Sequence, residues 1–181
     1  MVSEQQLELL KQYKERSFIN ALLAEESYDH YNFVKNIINI PLIICNTVMV
    51  IINSIITNQD LLKILNIILN SSTGLILSLI SNFKIYEKIT QYHQLQIKYN
   101  KLSHIIDSKI NNDKENITSE YITSIIENYD QILEAQEYAF PVQIKKKIKH
   151  QYDGKLSLPS SLSVDIISVC DTNSRCCCIN V

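Results

Sequence analysis

With 181 residues and a net charge of −2, the chain suits one domain or one compact unit with a tail, and its charge balance gives no electrostatic case for nucleic acid. Two glycines and three prolines leave no material for phosphate-cradling loops or a strand-rich sandwich, so long helices are expected. Five cysteines, four of them in the last twelve positions, exclude a disulfide framework.

Residues 1–35 predict an amphipathic helix. Ser3 with Gln6 makes a candidate capping box, and Leu10, Tyr13, Ser17, Ala21, Ala24, Tyr28 and Tyr31 recur at threes and fours. The opening "MVSEQQLELLKQYKER" is polar and unlike a signal peptide, so membrane entry is expected through internal spans.

Residues 36–83 predict two such spans, 36–58 and 64–83. Asn36 to Gln59 and Ile64 to Asn82 carry no charged residue, and each run approaches the ~20 residues that cross hydrocarbon as a helix. Twelve residues of the first run are Ile, Leu or Val, together contributing about −4 to −7 kcal/mol to insertion. The second run is more polar and inserts more readily as the partner of the first. The turn "TNQD" between them makes an antiparallel hairpin. A buried hairpin in a soluble bundle is the alternative.

Asn39, Asn46 and Asn53 are seven apart, so they share one helical face with a drift of ~20° per repeat. On the second run Asn66 and Asn70 precede Ser71, Gly74, Ser78 and Ser81, the last four at 3-4-3 spacing. Folding back at the turn brings together residues whose numbers sum to about 119–121. Asn53 is then expected near Asn66, Asn46 near Thr73 and Gly74, and Asn39 near Ser81 and Asn82. These amides and small residues predict a helix–helix seam. The competing expectation is a water-filled pore lined by several copies. Pro41 lies near a span end, where its lost backbone bond is easily replaced.

Lys11, Lys14, Arg16 and Lys35 precede the first span, and Lys84, Lys88, Lys98 and Lys101 follow the second, against only Lys63 in between. Both termini are therefore expected on the cytoplasmic side. The sequon Asn116-Ile117-Thr118 should then remain unmodified. Residues 84–112 continue the second span as a charged amphipathic helix. Residues 117–140 predict a further helix beginning at Thr118 and ending before Pro141. The tyrosines of these helices are read as core.

Residues 141–181 predict a basic segment and a flexible tail. Lys145, Lys146, Lys147 and Lys149 fit either a membrane-surface patch or a solvated charge run. Cys176, Cys177 and Cys178 are candidate acyl acceptors; prenylation, disulfide formation and free thiols are the alternatives. Adjacent thiols make poor tetrahedral metal chelates.

No Gly-rich phosphate loop, H-E-x-x-H or C-x-x-C occurs, and His30, His93, His104 and His150 are scattered. No catalytic residue, metal or cofactor is expected. The stretches "AEESYDHYNFVKNIINIPLIICNTVMVIINSI" and "NFKIYEKITQYHQLQIKYNKLSHIID", joined through a turn and a second span, resemble the SLATT superfamily of two-transmembrane proteins, and most of all its members encoded by large DNA viruses. The resemblance covers residues 20–110 and extends weakly to about 150; the absence of tryptophan departs from many relatives. It implies a small membrane protein in a virion's internal membrane or, as in bacterial members, a pore-forming effector.

The expectation is an all-α integral membrane protein: a transmembrane hairpin with long, coiled-coil-like helical extensions. It would be non-enzymatic and self-associating, with a scaffold role beside the lipid bilayer and a capsid or membrane protein as partner. A pore-forming effector is the second hypothesis and a soluble helical adaptor the third.

Overall fold

The computed structural model describes residues 4–55, 59–113 and 117–162. They form five helices: α1 (Glu4–Ile55), α2 (Gln59–Asn82), α3 (Ile85–Asn112), α4 (Ser119–Glu134) and α5 (Val142–Tyr152). A 3-10 turn follows at Ser160–Leu162. Among the described residues there is no strand, so the protein is all-α.

With 52 residues, α1 is about 78 Å long, far more than one bundle needs. It continues through Pro41, an exposed position. Its first half packs on α3, which runs antiparallel. The Lys14–Asp107 ion pair, the Tyr28–His93 ring contact at 5.2 Å and the Tyr31–Tyr92 stack at 5.7 Å follow one another along the interface.

The core joins Leu10, Ile19, Leu23 and Ala24 of α1 to Tyr92, Leu95, Tyr99, Leu102 and Ile106 of α3. Ile122, Ile125 and Tyr129 of α4 and Ile144 and Ile148 of α5 close it. Of the expected α1 stripe, Leu10, Ser17, Ala21 and Ala24 are buried. Ile19, Asn20, Leu23 and Ser27 are buried as well, because α4, α5 and the 3-10 turn also lie along this half of α1.

Two boundaries differ from the expectation. The apolar run of α2 does not pass smoothly into α3. Lys84 adopts the left-handed conformation at φ 52° and breaks the helix. Its N–H donates to the Ser81 carbonyl at 3.0 Å, and the Phe83 N–H donates to Leu79 at 2.9 Å, closing the end of α2.

α4 begins as expected. The Thr118 hydroxyl caps it, accepting from the Tyr121 N–H at 3.2 Å. It stops at Glu134, short of residue 140, because the next segment is claimed by α3. The Gln91 side chain donates to the Ala135 carbonyl at 3.2 Å and accepts from the Tyr138 N–H at 3.1 Å. The Tyr92 hydroxyl donates to the Ala139 carbonyl at 2.9 Å.

The stretch after Tyr152, expected as the start of a flexible tail, instead docks on α1 as far as Leu162. The Ser157 N–H donates to Glu15 at 2.7 Å, the Arg16 Nε to the Ser157 hydroxyl at 3.3 Å, and Leu162 is buried. Leu156, Leu158 and Leu162 supply the apolar contacts that a purely polar tail would lack.

Candidate membrane-spanning surface

Among the described residues, two helical stretches are long and apolar enough to cross a membrane, one within α1 and one beginning at Gln59. Their most apolar 18-residue windows are 0% and 6% buried, respectively. A core helix of a soluble protein hides such a window; here Ile43, Val50, Ile55, Ile67, Leu75 and Phe83 all stand out from the protein. Among the described residues of 36–83 only Met49 and Ile80 are buried.

Where α1 and α2 meet, the half-buried positions trace the contact: Ile38, Leu42 and Ile52 beside Met49, and Leu62, Leu65, Leu69, Thr73 and Ile76 beside Ile80. This contact is aliphatic. The asparagines flank it. Asn66 donates to Asn53 at 3.4 Å, the pairing expected from the numbering sum. Asn39 is half-buried and donates to the Tyr86 hydroxyl at 3.0 Å, reaching α3 rather than Ser81 or Asn82.

The structure does not bring the remaining positions together. Asn46, Asn70, Ser71, Gly74, Ser78 and Ser81 are all exposed. A Cβ built on Gly74 meets nothing within 4 Å, so no helix lies against it. The reason is geometric. Thr73, Ile76 and Ile80 turn towards α1, which carries the 71-74-78-81 face round to the far side of α2.

A ring of polar and aromatic side chains sits where the apolar stretches meet the bundle. The Tyr138 hydroxyl donates to Glu87 at 2.7 Å, and Lys84 lies 3.5 Å from the same carboxylate. The Tyr138 hydrogen bond holds the Glu87 carboxyl below the usual carboxylate range, with Lys84 adding to it. Lys88 lies over the rings of Tyr31 and Tyr138 at 5.3 and 5.6 Å. Sequence reading missed this cluster; tyrosines just beyond an apolar run, such as Tyr86, were the signal.

Ile144 and Ile148 face the core, Lys147 is paired with Glu26 at 2.7 Å, Lys145 is half-buried, and Lys146 and Lys149 are exposed. Glu26 is nine residues before Lys35 in α1, about 13 Å short of the apolar stretch. Cys45 is an exposed free thiol. Ser3, Asn116, Cys170 and Cys176, Cys177 and Cys178 lie outside the described residues. Among those described, no group of three or more His, Cys, Asp or Glu residues is placed to hold a metal ion.

No protein-family model, no curated protein and no solved structure matches this chain.

Proposed function

We propose that the protein is a non-enzymatic, two-span integral membrane protein with a structural or scaffold role. Residues 36–58 and 64–83 cross the bilayer as an antiparallel hairpin. α3, α4, α5 and the first half of α1 form a bundle on the cytoplasmic side, where both chain ends lie. The supporting observation is the exposure of the two apolar windows, 0% and 6% buried, on a chain whose other helices already close a core of their own.

Physical cost argues the same way. Leaving a run of Ile, Leu and Val in water forfeits about 25 cal/mol for each Å² of apolar surface, whereas hydrocarbon removes the penalty. The backbone of both stretches is helical, so its polar groups are satisfied without water except for the bond that Pro41 removes near the end of the first span. The Lys84–Glu87–Tyr138 ring and Lys88 lie at the headgroup level, where charged and amphipathic side chains are accommodated. The resemblance of residues 20–110 to viral two-span proteins suggests a virion or virus-modified membrane.

The test is extraction. Membranes carrying the full chain, washed in alkaline carbonate, are expected to retain it, and detergent is expected to release it. Release by carbonate as a detergent-free soluble monomer would overturn the proposal in favour of a soluble adaptor.

A further inference from the structure

The asparagines divide into satisfied and unsatisfied sets, and the division has a spatial logic. Asn39 and Asn53 are hydrogen-bonded within the chain, through Tyr86 and Asn66. Asn46 and Asn70 are exposed and have no hydrogen bond to the described residues. Both lie near the middle of their apolar helices. Thr47 and Ser54 hydroxyls in α1 satisfy themselves on the Ile43 and Val50 carbonyls, one turn back. An amide carries two donors and an acceptor that one such carbonyl cannot meet.

The Asn53–Asn66 bond fixes which flanks of α1 and α2 lie side by side. Asn46 is seven residues from Asn53 and therefore on the same flank of α1. Asn70 is four residues from Asn66, which keeps it on the corresponding flank of α2. Measured from that bond towards the bundle, Asn46 lies about 10 Å away and Asn70 about 6 Å. One face of the two-helix layer thus presents two unpaired amides within about 4 Å of the same depth.

We propose that a second copy of this chain docks on the face bearing Asn46 and Asn70, with their amides hydrogen-bonded between chains across a two-fold axis along the membrane normal. This rests on the two-span reading above. Hydrocarbon offers these amides no partner. Two copies inserted in the same sense bring equal depths together about such an axis, and an amide can both donate to and accept from another amide. Ser72, exposed and two residues or about 200° round the helix from Asn70, lies on the opposite side of α2 and takes no part.

The experiment uses full-length protein labelled with donor and acceptor dyes, reconstituted in phosphatidylcholine liposomes and diluted with lipid. Energy transfer is expected to report a dimer. Asn46→Leu with Asn70→Leu should raise its dissociation constant by about tenfold or more. Asn46→Gln with Asn70→Gln should largely restore pairing, and Ser72→Leu, on the opposite side of α2, should leave it unchanged. Carbonate resistance is checked for every variant, so loss of pairing with insertion retained tests the interface and not the spans. Unchanged transfer in the double leucine variant overturns the proposal. So does a monomeric wild type, loss of transfer in Ser72→Leu alone, or an assembly larger than a dimer that leaks ions and is sealed by Asn46→Leu.

Discussion

At the residue scale, the polar side chains inside the bundle define its geometry. Asn20 is fully buried on α1, donates to the Tyr129 hydroxyl at 3.0 Å and accepts from the Ser161 hydroxyl at 2.5 Å. It thereby ties α1, α4 and the final turn at one point. Tyr13 meets Tyr129 edge-on at 5.3 Å beside it. Tyr92 and Tyr99 are fully buried, and burial pushes both phenols well above their ordinary value of 10.0, with Tyr31 adding to the shift at Tyr92 and Tyr129 at Tyr99. A raised folded value means that the neutral phenol is favoured in the native state. Their contribution is complete below pH 10.0 and is lost as pH rises above it towards the folded values. Alkaline titration followed by phenolate absorbance should therefore show these two tyrosines ionising last and together with loss of helical signal. Early ionisation of Tyr92 and Tyr99 in an intact bundle would contradict their burial.

At the element scale, two segments carry more structure than their composition suggests. Lys84 in the left-handed region ends α2 and lets α3 start on a new axis, so the apolar run and the bundle helix are separate elements. Nothing in "SNFKIYEK" announces this, because no glycine or proline marks it. The other segment is 152–162. Ser and Pro in "DGKLSLPSSL" read as linker, yet its leucines are spaced to reach the groove beside α1. Leu162→Asp buries a charge at a position only 2% exposed and is expected to destabilise the bundle by about 2–4 kcal/mol. Thermal unfolding in detergent should show this, with Leu158→Asp, at a half-buried site near the same groove, costing less. Equal stability of Leu162→Asp and wild type would mean that the segment does not dock.

At the scale of the whole molecule, two surfaces differ in chemistry. The bundle encloses tyrosines, leucines and isoleucines and displays lysine and carboxylate pairs such as Lys147–Glu26. The far parts of α1 and α2 display isoleucine and leucine. A hairpin with both ends in the cytoplasm places Lys63 on the opposite side of the membrane from Lys88. Single-cysteine variants Lys63→Cys and Lys88→Cys, in a chain whose native cysteines are serine, should differ under a membrane-impermeant thiol reagent applied to intact cells. Position 63 is expected to label at once and position 88 only after permeabilisation; the reverse pattern would invert the topology.

Several features were legible in the sequence because they depend on local composition and period. Charge-free runs bounded by Lys35, Asp60, Lys63 and Lys84 fixed where the apolar helices lie, and Thr118 announced the start of α4 through the chemistry of its hydroxyl. The antiparallel sum that pairs Asn53 with Asn66 also holds for Lys14 with Asp107 and Tyr28 with His93. What tertiary structure alone decided was rotation and competition. Which face of α2 meets α1 depends on packing Leu65, Leu69, Ile76 and Ile80 along the α1 face of Ile38, Leu42, Met49 and Ile52, and that choice sends Gly74 and Ser78 outward. Where α4 ends depends on Gln91 and Tyr92 capturing backbone groups more than forty residues away. Sequence period sets which residues share a face; only the energy of all contacts made at once sets what that face touches.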